Sequence, residues 1–427
     1  MDKQPLEQWL GRLECLHPTA IELGLERVAE VAKVLGLLPV HVPVVTVAGT
    51  NGKGSTVAVL EAVLNASGRR TGVYTSPHLL RFNERVRVAG EEASDGELVD
   101  AFAQIERARG VTSLTYFEFA TLAALLVFRA RRVDVMVLEV GLGGRLDAVN
   151  IVDPEVAVVT LIDLDHQSWL GDDLDSIARE KAGIMRPHKA LVVGDPHPPD
   201  ALLECATATA ATPVLRLGRE FGFTVDRPGY WQGRIGGRVL PELPRGPLLP
   251  ENVCTALQAA ALLGCEPDVR QLPALLQTVR LKGRCEMRTV AGREYLVDVA
   301  HNPSSVEKMI EYSDLTGCKG RIFAIFSAMA DKDIPAMIAA TGKHFDAWFV
   351  GDQPGNSRAA TAADLATALY AAGHERVSVS KNLRQALARA RSLMEEGDRL
   401  VVFGSFYTVG AVLPLLEREN QASRGRR

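Results

Sequence analysis

A short glycine-rich segment of the chain has the residue types that bind phosphate. Three glycines bracket Lys53 directly after the apolar, β-branched run Val44–Ala48. Glycines let backbone N–H groups approach an anion, the N-terminus of a following helix favours negative charge, and the lysine adds a compact cation. The segment therefore predicts a nucleotide-phosphate loop. Its candidate residues are Thr50, Asn51, Gly52, Lys53, Gly54 and Ser55.

The match to the common P-loop pattern is incomplete. That pattern has Gly, four residues, Gly-Lys and then Ser or Thr. Here Val47 occupies the first position, and Gly54 stands where a metal-binding hydroxyl is expected. The segment alone is compatible with a variant nucleotide loop and with an ordinary turn between a strand and a helix.

Other predicted strands also end in polar residues, which is where ligands bind in open α/β sheets. Ser76 follows the run Thr71–Tyr74, Glu139 ends a second run, and His166 lies beyond a third. A carboxylate at a strand end beside glycines suits a Mg²⁺ ligand. The alternatives are a solvated Glu139 with Asp147 as a helix cap, and a surface role for His166.

Lys181 and two residues near position 300 are open to a functional and a structural interpretation. Lys181 lies late in a predicted helix, and the local sequence favours a solvated lysine at the helix C-terminus. Asp298 and His301 follow another strand and could form an acid–base or ligand pair. Their structural alternative is a turn that includes Asn302-Pro303.

The elements that must position these residues alternate between apolar strands and helices. This alternation predicts an α/β fold, with a mostly parallel, P-loop-type sheet and helices on both faces. The first domain should span residues 1–284, with an irregular β-rich excursion at about 195–250 that includes strands Phe221–Val225 and Gly233–Leu240. The predicted strands of the sheet are Val44–Ala48, Val133–Val140, Val156–Ile162 and Ala190–Val193. The predicted helices are Thr56–Ser67, Gly96–Arg109, Phe117–Ala130, Leu174–Ile184 and Asn252–Leu263.

A second, smaller α/β domain of Rossmann-like type is predicted over residues 291–427. A polar linker at about 284–291 would be the hinge, and the basic segment 420–427 would be a disordered tail. The strands of this domain are predicted at Tyr295–Val299, Arg321–Phe326, Ala347–Val350 and Arg399–Phe403.

The composition is that of a globular protein and excludes several classes. The chain has 427 residues, is 47 % hydrophobic and carries a net charge of −4, which argues against nucleic-acid binding through bulk charge. The N-terminus lacks the features of a signal peptide, and the apolar runs are too short to span a membrane. Six cysteines without a CxxC pair favour a reduced, cytoplasmic location. We therefore expect no nucleic-acid or membrane partner.

Taken together, the motifs resemble the folate branch of the Mur ligase superfamily, the folylpolyglutamate synthases, which in bacteria often also have dihydrofolate synthase activity. The similar segments, in the expected order, are GTNGKGS at 49–55, TSPH at 75–78, LEVGLGGRLDA at 138–148, DH at 165–166 and DVAHNP at 298–303. That branch carries glycine after the loop lysine, which accounts for Gly54.

The resemblance implies ATP and two Mg²⁺ ions as cofactors, with K⁺ or another monovalent cation as a further candidate. It implies catalytic roles for Lys53, Asp298, His301 and a carbamylated Lys181. It implies nucleotide contacts from the loop residues 50–55 and from Asn252, Arg284 and Asp298. The implied metal ligands are Ser76, Glu139, His166 and Lys181. The implied pterin-side residues are Glu22, Leu23, Gly24, Thr115, Tyr116, Phe117, Glu118, Leu146, Asp147 and Ala148.

The implied reaction is ATP-dependent addition of L-glutamate to dihydropteroate and to the γ-carboxylate of reduced folates, through an acyl phosphate. The partners would be these small molecules alone, the protein would be a monomer, and a cleft closed near Gly283 would exclude water. A monofunctional folylpolyglutamate synthase is the nearest alternative. A ligase acting on a UDP-muramyl peptide and an ATP-binding regulator without catalytic activity are the others.

Overall fold

The computed structural model describes residues 5–17, 19 and 21–424, and the chain divides into two compact units. Unit 1 spans Met1–Arg280 and unit 2 spans Leu281–Arg427. Each unit contains a predominantly parallel sheet with helices, which confirms the predicted fold class. Among the described helices, none is both long and apolar enough to cross a membrane.

The helices and strands of unit 1 in the described residues are α1 (Leu6–Glu14), α2 (Glu26–Val34), β1 (Val44–Ala48), α3 (Lys53–Ala66), β2 (Thr71–Tyr74), β3 (Val86–Val88), β4 (Glu91–Glu92), α4 (Asp95–Arg109), α5 (Tyr116–Arg131), β5 (Val135–Glu139), β6 (Val156–Val159), α6 (Gln167–Leu170), α7 (Leu174–Ala182), β7 (Ala190–Val193), α8 (Asp200–Ala208), β8 (Val214–Arg216), β9 (Gly222–Thr224), β10 (Tyr230–Ile235), β11 (Arg238–Pro244), α9 (Pro250–Leu262) and α10 (Leu272–Thr278). Two short 3₁₀ helices lie at Phe82–Arg85 and Ala148–Ile151. Those of unit 2 are β12 (Glu286–Val290), β13 (Arg293–Val297), α11 (Pro303–Thr316), β14 (Ile322–Phe326), α12 (Ile334–Ala340), β15 (Ala347–Gly351), α13 (Ala362–Ala371), β16 (Val377–Ser380), α14 (Leu383–Leu393), β17 (Arg399–Phe403) and α15 (Phe406–Arg424).

The main sheet of unit 1 places four polar strand ends side by side. Its strand order is β4-β3-β2-β5-β1-β6-β7-β8, and the six strands from β2 to β8 in that order pair in parallel. Strands β1, β5 and β6 are buried throughout because each is a continuous apolar run, as expected for strands covered on both faces. The carboxyl ends of β2, β5, β1 and β6 therefore lie at one edge.

The sheet of unit 2 has the order β12-β13-β17-β14-β15-β16, and all its strands except β12 run in parallel. Its core contains stacked aromatic rings, including Phe345 and Phe403 with centroids 5.7 Å apart. The predicted linker at 284–291 is wrong in part, because Glu286–Val290 is strand β12 and pairs with β13 along its whole length. A turn with positive φ at Ala291 and Gly292 joins β12 to β13. Strand β12 is half-exposed at the edge of the sheet, which explains why its residues are polar.

The β-rich region predicted to be irregular, at about residues 195–250, has more regular secondary structure than expected. Residues 200–216 form α8 and β8, and only β9–β11 form a separate three-stranded antiparallel sheet. The single strand predicted over 233–240 is wrong: it is a hairpin, because Gly236 and Gly237 both take positive φ and reverse the chain. The predicted disordered tail begins too early, since α15 continues to Arg424. Residues 425–427 lie outside the described part of the chain.

Candidate active site

The glycine-rich loop of unit 1 joins the end of β1 to the start of α3. Helix α3 begins at Lys53, directly after Gly52, whose φ is 92°. Gly49 also has a left-handed φ, of 146°. A Cβ at Gly49 would collide with the Thr160 hydroxyl, and a Cβ at Gly52 would collide with the Asn252 side-chain oxygen. Both positions therefore require glycine, and the loop keeps the close backbone approach that phosphate binding needs.

Lys53 is folded back over the loop that precedes it. Its Nζ donates to the carbonyl oxygens of Gly49 at 2.8 Å and Thr50 at 3.1 Å. The loop is in turn tied to the chain beyond β6, because the Thr50 N–H donates to the Leu161 carbonyl at 2.7 Å and the Thr50 hydroxyl donates to the Asp163 carbonyl at 2.9 Å. The ammonium is thus fixed beside the backbone amides of the cradle.

The structure brings two of the predicted metal ligands together. Glu139, the last residue of β5, is only 4 % exposed, and its Oε2 accepts the backbone N–H of Ser76 at 3.2 Å. Carboxylate and hydroxyl groups, which these two residues carry, are the hard oxygen donors that Mg²⁺ prefers. His166 is the N-cap of the short helix α6 and has a left-handed φ of 53°, and its ring lies 3.8 Å from the Asp165 carboxylate.

Lys181 on α7 is buried, so its interpretation as a solvated helix lysine is wrong. The residue is only 3 % exposed. Burial, reinforced by the positive charge of Lys53, lowers the pKa of Lys181 to about 7, although Asp165 and Asp147 act in the opposite direction. A large fraction of this amine is therefore neutral near pH 7, and a neutral amine is the form that reacts with CO₂.

The Gly-rich segment after β5 presses against the helix that carries Lys181. A Cβ at Gly144 would lie 2.8 Å from the Glu180 carbonyl oxygen, so only glycine permits this approach. The buried Asp147 carboxylate holds the segment by accepting the N–H groups of Gly141 at 2.9 Å and Leu142 at 2.8 Å. Burial raises the pKa of Asp147 to about 6. This predicted pterin-side residue thus also has a clear structural role.

The other predicted pterin-side segments meet through Arg27, which the sequence did not reveal. Thr115 and Glu118 form a capping box at the start of α5, with the Glu118 carboxylate accepting the Thr115 N–H at 2.7 Å. Arg27 donates to Glu118 at 3.1 Å and also pairs with Glu22. A contact across 91 positions has no local sequence signal, because only the packing of α2 on α5 produces it.

Phe117 links this side to the Gly-rich segment. Its ring lies against Gly141, where a Cβ would come within 2.7 Å of it, and its centroid is 5.7 Å from that of Tyr74. Ala148 is buried and Leu146 is half-buried in the same segment. Leu23 and Gly24 are half-buried just before α2. Their role at the pterin remains a prediction.

In unit 2 the structure groups Arg284, Asp298 and His301. The Asp298 carboxylate is buried and accepts the N–H groups of Cys285 at 2.6 Å and Ala300 at 2.7 Å. Burial raises the pKa of this carboxyl group. The other two side chains both lie near the Phe406 ring: the Arg284 guanidinium carbon is 5.7 Å and the His301 ring centroid 6.3 Å from its centroid.

No group of three or more His, Cys, Asp or Glu in the described residues is arranged to hold a metal by itself. A Mg²⁺ ion usually takes one or two protein carboxylates and completes its shell with water and phosphate oxygens. The Ser76–Glu139 pair fits that kind of site better than an all-protein cage.

Comparisons with known proteins agree with this geometry. The chain matches the Mur ligase middle domain over residues 47–218 and the Mur ligase glutamate ligase domain over residues 283–406. The dihydrofolate synthase/folylpolyglutamate synthase of Escherichia coli K12 is 42 % identical over 98 % of this chain and 97 % of its own length. The Mycobacterium tuberculosis enzyme of the same name is 31 % identical over 94 % of this chain and 92 % of its own length.

Solved structures give the same result. That of E. coli FolC in complex with DHPP and ADP has a TM-score of 0.91 and 40 % identity, covering 97 % of this chain and 98 % of its own. That of the bifunctional Yersinia pestis enzyme with AMPPNP and a Mn ion has a TM-score of 0.89, 40 % identity and the same coverage. The chain therefore belongs to the dihydrofolate synthase/folylpolyglutamate synthase family of the Mur ligases.

Proposed function

We propose that this protein uses ATP to join L-glutamate to dihydropteroate and to the γ-carboxylate of reduced folates. The observation that carries the ligase part of the proposal is the burial of Lys181 close to Lys53. The two acceptors are proposed from the names of the relatives and are tested below. A phosphate cradle alone is compatible with many ATP-dependent reactions. A neutral lysine that can be carbamylated next to that cradle is the feature that distinguishes this ligase chemistry.

The reaction must make a carboxylate into an electrophile. A carboxylate repels nucleophiles and has no adequate leaving group, and transfer of the γ-phosphoryl group from ATP to form an acyl phosphate removes both obstacles. Such a transfer needs in-line positioning and neutralisation of charge on the phosphate oxygens. We assign these tasks to Lys53 and to the loop amides. The amine of L-glutamate then attacks the acyl carbon, and inorganic phosphate leaves.

We assign the metal-binding role to Ser76, Glu139, His166 and carbamylated Lys181. Carbamylation replaces a positive ammonium with an anionic oxygen donor, which suits a site that already contains the Glu139 carboxylate. When bound, Mg²⁺ would neutralise charge on the phosphate oxygens. Two metal sites and a K⁺ or other monovalent site belong to the same proposal. The AMPPNP and Mn ion in the Yersinia pestis structure support ATP and a divalent cation as ligands of this family.

In unit 2 we assign nucleotide contacts to Arg284 and Asp298, and a role close to the phosphates to His301. Asp298 is poorly suited to accept the proton of the glutamate amine, because both its oxygens already accept backbone N–H groups. His301 keeps one ring nitrogen on the Val299 carbonyl at 3.0 Å and is the better candidate for proton transfer.

A product assay with separate acceptors tests the proposal. Purified protein is given ATP, Mg²⁺ and L-glutamate with dihydropteroate, with tetrahydrofolate, or with a UDP-muramyl acceptor. We expect glutamate ligation and ADP formation with the first two acceptors only. Activity with tetrahydrofolate alone would indicate a monofunctional enzyme, as in the Lacticaseibacillus casei relative named folylpolyglutamate synthase, which is 33 % identical. Activity with the UDP-muramyl acceptor alone, or with none of the three, would refute the proposal.

A further inference from the structure

Arg85 is a buried cation that forms no ion pair with a carboxylate of the described residues. It is only 8 % exposed. The arginines nearest to it in sequence behave differently: Arg81 pairs with Asp95 at 2.9 Å, and Arg87 pairs with Glu61 at 2.8 Å. Buried charges are normally paired, since an unpaired one loses its hydration without compensation. Arg85 therefore lacks the counter-charge that its burial calls for.

The carboxylate next to Arg85 in the sequence, that of Glu84, is held by the preceding turn. Glu84 accepts the backbone N–H groups of Leu79 at 2.7 Å and Leu80 at 3.3 Å, which directs its carboxylate to the turn before it. The Arg85 Nε–H instead donates to the Nδ1 of His78 at 2.8 Å. The ring nitrogen is a neutral acceptor here, so the net positive charge of the guanidinium is not cancelled.

Three aromatic side chains also surround this guanidinium: it hydrogen-bonds with the Tyr74 hydroxyl and lies against two further rings. Its central carbon lies 5.6 Å from the centroid of the Phe82 ring and 5.4 Å from that of the Tyr116 ring. Cation–π contacts stabilise and orient a guanidinium without neutralising it. The result is a fixed, desolvated fork of N–H donors, which is the geometry that binds carboxylate groups.

Arg85 also lies next to the candidate active site. Its backbone carbonyl accepts the N–H of Thr75 at 2.9 Å, and Thr75 directly precedes Ser76. Ser76 donates its own N–H to Glu139. Tyr116 begins α5 among the residues assigned to the pterin side. An anion held by Arg85 would therefore lie close to Tyr116, on a segment whose backbone is bonded to the residue before Ser76.

We propose that Arg85 binds the α-carboxylate of the terminal glutamate of a reduced-folate acceptor. This inference rests on the proposed function. The two acceptors differ in the charge they present: dihydropteroate has one carboxylate, which reacts, whereas a folate has a reacting γ-carboxylate and a second, unreactive α-carboxylate. A cation set apart from the phosphate cradle suits the second group. Arg85 is thus a specificity residue for polyglutamylation and not for dihydrofolate synthesis.

The wild-type protein provides the first test. Its kcat/KM is compared for tetrahydrofolate and for tetrahydrofolate in which the α-carboxylate of the glutamate is an amide, leaving the γ-carboxylate free. Loss of a charge-assisted hydrogen bond should lower kcat/KM for the amide by about 10-fold or more, mainly through KM. Equal kcat/KM values for the two acceptors would overturn the inference, whatever any variant does.

The variant Arg85→Gln provides the second test. We expect it to raise the KM for tetrahydrofolate about 10-fold or more and to discriminate little between the acid and the amide. The dihydropteroate reaction should lose less activity than the tetrahydrofolate reaction. Arg87→Gln, which removes a cation already paired with Glu61, should keep the discrimination of the wild type. If Arg85→Gln does not fold, Arg85→Lys serves instead and should weaken the same discrimination. The inference would be overturned if the variant lost equal activity with dihydropteroate and with tetrahydrofolate, or if it still discriminated between tetrahydrofolate and its α-amide as the wild type does. Absence of all ligation in the wild type would instead refute the proposed function itself.

Discussion

The carboxyl edges of the two sheets use buried ionisable groups in different ways. In unit 1, Lys181 is buried beside Lys53, and its pKa is lowered to about 7. In unit 2, Asp298 is also buried, but its two oxygens accept the N–H groups of Cys285 and Ala300. Burial moves both groups toward their neutral forms. Burial alone therefore does not identify a reactive group. The Asp298 carboxylate is occupied by hydrogen bonds that fix its own loop. Burial of Lys181 instead favours the neutral amine, which is the form that its proposed carbamylation requires.

The largest effect should come from Lys53, at the centre of the unit 1 edge. Lys53→Ala removes the cation of the phosphate cradle and should lower the ligation rate by about 10³-fold or more, with little change in thermal stability. Steady-state ligation assays and thermal melts measure the two quantities. Lys189→Ala, which removes a surface lysine paired with Glu155, is the matched control and should be active. Comparable ligation rates in Lys53→Ala and Lys189→Ala would contradict the proposed phosphate-binding role of the loop.

The second largest effect should come from Lys181. Lys181→Ala should lower the ligation rate by about 10²-fold, because the proposed carbamate oxygens are lost. Acetate or another short carboxylic acid should restore part of the rate by supplying a carboxylate to the vacated space. Full activity without additives would make Lys181 a structural residue, and the contrast with Asp298 would then disappear.

The pH dependence of stability tests the burial of Lys181 independently of activity. Since its pKa is about 7 in the folded protein and 10.5 in the reference state, the unfolded chain binds more protons between these values. The free energy of unfolding of the wild type, minus that of Lys181→Met, should therefore rise with pH. The expected increase from pH 7 to pH 9 is about 2 kcal/mol. Urea unfolding of metal-free protein in CO₂-free buffer measures the difference. If the difference in unfolding free energy between the two proteins does not change with pH, the amine of Lys181 is solvated.

The smallest effect should come from Asp298. Asp298→Asn replaces one accepting oxygen with an NH₂ group that faces a backbone N–H, so it should destabilise unit 2 by about 1.5 kcal/mol. If the loop role dominates, the KM for ATP should rise only modestly while kcat changes little. Urea unfolding and initial rates at varied ATP give both values. A loss of kcat as large as that of Lys181→Ala would place Asp298 in the chemical step instead.

Short-range sequence patterns predicted the main sheet well. Strands β1 and β7 lie at their predicted positions, because a buried parallel strand is a continuous apolar run with clear boundaries. The loop before Lys53 was also evident, since glycine spacing and a following helix are local features. The hairpin β10–β11 was missed although Gly236-Gly237 is a recognisable turn signal.

Long-range packing explains what the sequence did not reveal. The helix around Lys181 carries charged residues that suggest solvent exposure, and its burial depends on the approach of Gly144, which lies 37 positions away and packs on Glu180. The ion pair of Arg27 with Glu118 and the unpaired charge of Arg85 depend in the same way on contacts between elements. Such contacts have no periodicity along the chain from which they could be predicted.

The most direct test of phosphoryl transfer at the unit 1 edge is an isotope experiment. Dihydropteroate labelled with ¹⁸O in its carboxylate is incubated with ATP, Mg²⁺ and L-glutamate, and the phosphate released is analysed by mass spectrometry. Transfer of the γ-phosphoryl group to the carboxylate predicts one ¹⁸O atom in each phosphate formed by ligation, and a proportionately slower release of labelled phosphate with Lys53→Ala. Amide formation with unlabelled phosphate would contradict an acyl-phosphate intermediate.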